Sequence, residues 1–214
     1  MGWQRRRFKA EADKMKRKSL IWLAVIAMAA GAAPVAAQLG GNNGEGFLTA
    51  VRAIDGNKAT ELLDARGSTV LSYRGAKGET ALNIVARRRD STWLGFLLGK
   101  GADPNVGDDR GETPLIIAAR LGWEDGASRL LGQRAMVDRA NKLGETALIA
   151  AVQARQPGVV RLLLQNGANP DKKDTAAGYS ARDYARRDAR SADLLRMIES
   201  VRSTKKIIAG PVFR

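Results

Sequence analysis

An all-α solenoid of stacked helix-turn-helix units is the fold class this sequence predicts, and two markers held in phase predict it. The pentapeptide Gly78-Glu79-Thr80-Ala81-Leu82 returns as Gly111-Glu112-Thr113-Pro114-Leu115 and as Gly144-Glu145-Thr146-Ala147-Leu148, in two steps of 33 residues. A weaker copy, Gly178-Tyr179-Ser180-Ala181, follows after 34. The second marker, Gly101-Ala102-Asp103-Pro104-Asn105, recurs after 66 residues, twice the period, as Gly167-Ala168-Asn169-Pro170-Asp171. Self-similarity at such a period signals supersecondary units that bury their apolar faces only against their neighbours. A chain that is 44% hydrophobic but 5% aromatic suits helices packed through Ala and Leu.

The first 37 residues have the layout of an export signal. Arg5, Arg6, Arg7, Lys9, Lys14, Lys16, Arg17 and Lys18 precede the apolar run from Leu20 to Ala33, and Pro34-Val35-Ala36-Ala37 follows it. Val35 and Ala37 are the small residues a signal peptidase needs at the −3 and −1 places, so the mature chain would begin at Gln38. Met15-Lys16-Arg17-Lys18 is a sufficient charged start by itself, which makes Met15 an alternative first residue. The other reading is an uncleaved anchor, since residues 20 to 37 are just long enough to span hydrocarbon. Arg5-Arg6-Arg7-Phe8-Lys9 is also like a twin-arginine motif, but about ten polar residues part it from the apolar run. Cleaved or anchored, the positive flank stays inside and the repeats lie across the membrane, in the periplasm of a bacterium.

Residues 38–44 then form a polar Gly/Asn linker, and 45–77 an atypical first unit. Its helices are expected at Ala50, Val51, Ala53 and Ile54 and at Ala59, Leu62 and Leu63. The marker pentapeptide is missing from this unit, and the gap from Leu63 to Gly78 is two residues longer than the matching gap from Leu98 to Gly111. A capping unit is expected to be degenerate because one of its faces meets water.

One rationale covers the regular units 78–110, 111–143 and 144–177. Thr80, Thr113 and Thr146 are N-caps whose hydroxyls accept from the first free backbone amides, and Pro114 takes the first helical position, where no donor is lost. Small residues at Val85-Ala86, Ala118-Ala119 and Ala151-Val152 let first helices approach, while Leu97-Leu98, Leu130-Leu131 and Leu162-Leu163-Leu164 bulk the second. Gly101 and Gly167 end second helices in the left-handed conformation, and Pro104 and Pro170 stop them resuming. Arg134 stands where that glycine belongs, so this unit is expected to be strained there by about 1 kcal/mol or to end differently. Gly126 lies inside a second helix at the position of Trp93 one unit earlier. Size complementarity between the two is one expectation, and a plain surface glycine the other. The fourth unit has one extra residue within 172–177, where the finger should protrude or kink.

These motifs resemble the ankyrin repeat family over roughly residues 45 to 202. The closing unit 178–203 is similar to an ankyrin C-terminal cap, with Tyr179 to Arg187 as first helix and Leu194, Leu195, Met197, Ile198 and Val201 on the second. A frayed tail, 204–214, or its docking through Ile207, Ile208, Val212 and Phe213, completes the chain. The family's frequent His at the fourth tetrapeptide place is here Asn83, Ile116, Ile149 and Asp183. The turn-linking network of that His is therefore expected to be absent, with packing in its place.

The resemblance implies a non-catalytic scaffold that binds a partner protein on the concave face formed by fingers and first-helix ends. By period those positions are Lys77, Glu79, Arg87, Arg88, Asp109, Arg110, Glu112, Arg120, Lys142, Glu145, Gln153 and Arg187. The three Glu are expected as an exposed row, facing a basic row of Arg87, Arg88, Arg120 and Arg187. The rows either neutralise one another or present a pattern that selects its reverse. Arg88→Glu with Arg120→Glu is expected to weaken binding without lowering the melting temperature.

Composition limits the alternatives. The chain has no Cys and no His, which excludes disulfides, thiolate nucleophiles, Ser/His/Asp triads and zinc sites built on those ligands. No catalytic centre, metal or cofactor is expected. The formal charge is +14; eight basic and two acidic residues fall in the first 37, leaving 28 and 20 beyond, a formal +8. That excess admits an acidic partner, or an adaptor on anionic envelope surfaces as a second function class. Nucleic acid is not expected, because aromatic stacking residues do not interleave with the basic ones.

Overall fold

The computed structural model describes residues 35–208, with side chains described from 43 to 200. The export-signal and anchor expectations fall almost wholly on residues 1–34, outside the described part. The chain divides into two compact units, Met1–Asn42 and Asn43–Arg214. Of the first, only the opening turns of one helix are described. No described helix is long and apolar enough to cross a membrane.

The described part is helical, as the period requires. Helices α1 (Val35–Ala53) and α2 (Gly56–Asp64) precede a short 3-10 turn at Val70–Ser72; α3 (Ala81–Arg88) with α4 (Ser91–Gly99), α5 (Pro114–Arg120) with α6 (Glu124–Gly132), and α7 (Ala147–Gln153) with α8 (Pro157–Gln165) are the regular pairs. Helix α9 (Ala181–Arg187), a 3-10 turn at Ala189–Ser191 and α10 (Ala192–Ile208) close the array. First helices stack in the order α3, α5, α7, α9, and second helices in the order α4, α6, α8, α10. The core runs continuously through the stack, with Leu82, Leu115 and Leu148 from first helices and Leu97, Leu130 and Leu163 from second helices almost wholly buried.

The caps are as the sequence implies. The hydroxyls of Thr80, Thr113 and Thr146 each accept from the amide three residues on at 3.3 Å, and Ser180 does so at 3.2 Å. Of the residues at the fourth place, Ile116 and Ile149 are fully buried and replace polar contacts by packing. Asn83 departs from expectation: its Nδ2 donates to the Glu112 carbonyl at 2.9 Å, so one turn-to-turn link of the absent kind is present. Asp183 turns back on its own cap, accepting from the Ser180 amide and hydroxyl.

Unit ends show where local chemistry is overruled. Arg134 is left-handed, φ 64°, and the amide-to-carbonyl pattern around it (Arg134 to Leu131, Ala135 to Leu130) copies that at Gly101 and Gly167. The unit therefore ends like its neighbours, and the arginine carries the strain. Arg89 and Arg155 are left-handed as well, at φ 55° and 52°, at the position that Gly122 fills after α5. Stack geometry dictates the bend, whatever residue stands there. Arg134→Gly should accordingly raise stability by about 0.5–1 kcal/mol, read as a higher denaturation midpoint with an unchanged slope.

Three expectations need correction. A Cβ on Gly126 would collide with the ring of Trp123, not of Trp93; the indole folds back over its own helix from the N-cap, and Gly126 is buried beneath it. Trp93 instead packs edge-on against Phe96, with ring centroids 5.6 Å apart. Gly126→Ala is expected to destabilise by about 1–2 kcal/mol, the strain of overpacking exceeding the helical gain, and thermal unfolding checks the sign. On the first helix of the first unit the core residues are Phe47, Leu48, Ala50 and Val51, whereas Ala53 is exposed and Ile54 lies beyond the helix end with φ 61° and is 59% exposed; Ala59 and Leu62 of the second helix are buried as expected. Finally, α1 is continuous through residues 38–44 and α10 runs to Ile208, so neither the predicted linker nor the start of the predicted tail is irregular. Between Ala192 and Ile208 nothing breaks a helix; Gly210 and Pro211 come only later.

Candidate functional site: the finger groove

Successive fingers are tied through their backbones. The Asp109 amide donates to the Lys77 carbonyl at 3.1 Å, Lys142 to Arg110 at 2.9 Å, and Thr175 to Leu143 at 2.8 Å. Gly111 shows why the pentapeptide opens on glycine: its φ is 77°, and a Cβ there would lie 3.0 Å from the Lys142 nitrogen. Besides the bridges Ala140 to Thr146 and Lys173 to Ser180, the fingers are turns, not strands.

Three of the fingers are built on a residue the pattern analysis did not single out. Asp108, Asn141 and Asp174 recur at the same 33-residue step, and all three are buried. Oδ1 of Asp108 accepts from the amides of Arg110 and Glu112, and that of Asn141 from Leu143 and Glu145. Oδ1 of Asp174 takes Ala177 and Gly178, which wraps the extra residue of the fourth unit instead of kinking the finger. Burial opposes the charge on Asp174, yet the Tyr184 hydroxyl at 2.6 Å and the surrounding amides outweigh it and hold the carboxyl below its usual value. The same contact raises the Tyr184 phenol to about 12. The signal was available as a third periodic marker, hidden by the Asp/Asn alternation and by Gly75 at the first copy.

The glutamate row is not exposed. Glu112 and Glu145 are buried, and the Glu79 side chain is 14% exposed. Each carboxylate lies beneath guanidinium groups from the first helices. Arg52 reaches Glu79 at 2.8 Å and Glu45 at 2.9 Å. Arg87 reaches Asp108 at 2.7 Å and Glu112 at 3.9 Å. Arg120 bridges Glu112 and Glu145, both at 2.8 Å, and Arg110 meets Glu112 at 2.8 Å. Although burial opposes the charge on Glu79, its own backbone amide, Arg52 and the Lys77 amide together keep its acidity above normal.

The arrangement is layered, with carboxylates beneath and arginines outside. Side-chain exposure is 40% for Arg52 and Arg87, 44% for Arg120 and 71% for Arg110, against 5–14% for Asp108, Glu112, Glu145 and Glu79. Two hollows share Arg87 and Arg110 and so form one groove. The larger, about 820 Å³, takes in Arg52, Lys77, Glu79, Ile84, Arg88, Asp109 and Arg110; the smaller, about 290 Å³, takes in Arg110, Glu112, Ile117, Arg120 and Leu121. Lys142 lines a separate notch of about 510 Å³ between fingers. Gln153 is exposed, and Arg187 stacks over the Tyr179 ring at 4.5 Å, so the arginine ladder stops at the fourth unit.

Arg88 is a structural residue here. Its Nη1 donates to the carbonyls of Val51 at 2.6 Å and Arg52 at 3.1 Å, closing the end of α1. With Arg120 holding two buried carboxylates, the double Arg88→Glu and Arg120→Glu change cannot leave the melting temperature unaltered. Lys77 and Arg110 are the informative positions instead, because both are exposed and lie on fingers.

Residues 82–174 match the family model of ankyrin repeats in three copies. Residues 82–174 are ankyrin repeats. The matched stretch begins at the leucine of the first pentapeptide and ends at Asp174, the last of the buried finger residues. No curated protein matches the chain. Ankyrin repeats are generally protein-binding modules without catalytic chemistry.

Proposed function

We propose that the protein is a non-catalytic scaffold of the bacterial periplasm that holds a partner protein on its concave finger groove. The observation that carries this reading is the layer of half-exposed guanidinium groups held over buried carboxylates. Pairing with the carboxylates fixes the arginine rotamers before a partner arrives, so less side-chain entropy is lost on binding. Arginine forks also match carboxylates geometrically. The periplasmic part rests on the basic start, the apolar run and the small residues before Gln38.

The test is capture from a periplasmic extract on the immobilised array, followed by mass spectrometry. Lys77→Glu with Arg110→Gln should reduce capture of the specific partner about tenfold while stability falls by no more than about 1 kcal/mol, because the pair that Arg110 gives up with Glu112 is made by a side chain 71% exposed. Arg161→Glu, on α8 outside the groove, should change neither. Unaltered capture by the folded double variant would overturn the groove as the site. Sequencing the N-terminus of the exported chain should give Gln38, and an intact Met1 or Met15 would refute the cleaved signal.

A further inference from the structure

The loop from Arg134 to Leu143, between α6 and α7, carries a different surface from the unit before it. Arg134, Arg139 and Lys142 are exposed, and their side chains make no ion pair among the described residues. Met136 and Leu143 on the same loop are each 59% exposed, two of the three exposed large apolar side chains among the described residues. One period earlier the places of Met136, Arg139 and Lys142 are held by Asp103, Val106 and Asp109; one period later Lys172 and Lys173 follow Arg139 and Ala140. The loop closes on one feature. Arg139 and Lys142 line the notch of about 510 Å³ between fingers, together with Arg74 and Asn105. The Met136 amide donates to Oδ1 of Asn105 at 2.7 Å and the Leu143 amide to Oδ1 of Asn141 at 2.9 Å, so both apolar side chains leave the backbone at the rim of that notch. Five cations on this edge, Arg134, Arg139, Lys142, Lys172 and Lys173, stand against two carboxylates, Asp138 and Asp171, and Asp171 is already held by Arg182 at 2.7 Å.

We propose that this edge of the third and fourth units rests on an anionic phospholipid bilayer, with the cations among the headgroup phosphates and Met136 and Leu143 in the acyl boundary beneath them. The charge pattern favours this occupant. The groove arginines lie over carboxylates that cancel their field locally, whereas the cations of this edge are unpaired and attract a diffuse anionic surface. The side-chain types favour it too. Lysine is depleted at protein interfaces, but flexible Lys and Arg stems beside protruding apolar side chains match a charged headgroup layer over hydrocarbon. Attachment by a few charges and two apolar side chains is reversible and salt-sensitive. The notch is separate from the finger groove, so a partner protein and the bilayer can be held at once. The proposal therefore goes beyond the scaffold reading and does not depend on it.

The chain has no cysteine, so Met136→Cys supplies a single attachment point for an environment-sensitive fluorophore at the rim, and Arg161→Cys on α8 supplies a control. The full chain is mixed with phosphatidylcholine vesicles that contain or lack phosphatidylglycerol. The label at 136 should shift to the blue with the anionic vesicles and not with the neutral ones, and the label at 161 should shift with neither. Because the reporter sits on the loop, insertion of the N-terminal apolar run does not imitate the signal. Arg139→Glu with Lys142→Glu should weaken the response at least about tenfold, as should raising salt to about 0.3 M. Leu143→Ser should weaken it about threefold and leave the salt dependence unchanged. An unshifted label at 136, equal shifts at 136 and 161, equal shifts with neutral vesicles, or a full response from the double Glu variant with an unaltered circular dichroism spectrum would each overturn the proposal. If vesicles leave the label unshifted while a polyglutamate peptide binds through Arg139 and Lys142, the edge belongs to an acidic protein and the proposal fails. Capture through Lys77 and Arg110 is measured separately, so the scaffold reading stands or falls by its own result.

Discussion

Arg120→Glu is expected to destabilise the array by about 3–5 kcal/mol, the range for breaking a pair that leaves charge buried. The guanidinium sits between Glu112 and Glu145, 2.8 Å from each, and both side chains are close to 10% exposed. A glutamate there would set three carboxylates together with Arg110 and Arg87 as the nearest counter-charges. Since Arg120 itself is 44% exposed, water relieves part of the repulsion, and the lower half of the range is the expected outcome. Arg120→Lys separates charge from fork and should lose less than half as much. Chemical denaturation with unchanged slope checks both; a loss under about 0.5 kcal/mol for Arg120→Glu would show that the bridge contributes nothing.

Deleting residues 111–143 should leave a folded, shorter array that is less stable by about 2–5 kcal/mol, from 33 residues at ordinary stability per residue. The new junction reproduces the old contacts by period. Glu145 takes the place of Glu112 beneath Arg87, and its carbonyl takes over the bond from Asn83 Nδ2 now made to Glu112. The Asp108 carboxylate is kept and would accept from Glu145 where it now accepts from Glu112. Helix α3 then meets α7, with the Val85-Ala86 surface against the one that faced Ala118-Ala119. Circular dichroism should retain its helical shape, and melting should stay cooperative at a lower temperature. Collapse to an unfolded chain would mean that the units are not interchangeable.

What the sequence determined by itself is local and periodic. A glycine, a capping threonine and a leucine at a fixed step specify turn, helix start and core face from interactions within a few residues, so the units and the caps at Thr80, Thr113 and Thr146 were legible. At Arg134 the displaced glycine marked the position, but whether the arginine would turn left-handed or the unit would end differently was left open until the stack was seen. Tertiary structure alone decided which charges are buried and which ring covers which glycine. Arg120 meets Glu145 across 25 residues, Arg88 reaches Val51 across 37, and Asn83 reaches the Glu112 carbonyl across 29. Nothing in local spacing says whether a periodic glutamate faces water or lies under an arginine from the neighbouring helix. That depends on how closely the stack brings fingers to helix ends, and the same approach buries Asp108, Asn141 and Asp174 and bends Arg89 and Arg155 into a conformation their own chemistry disfavours.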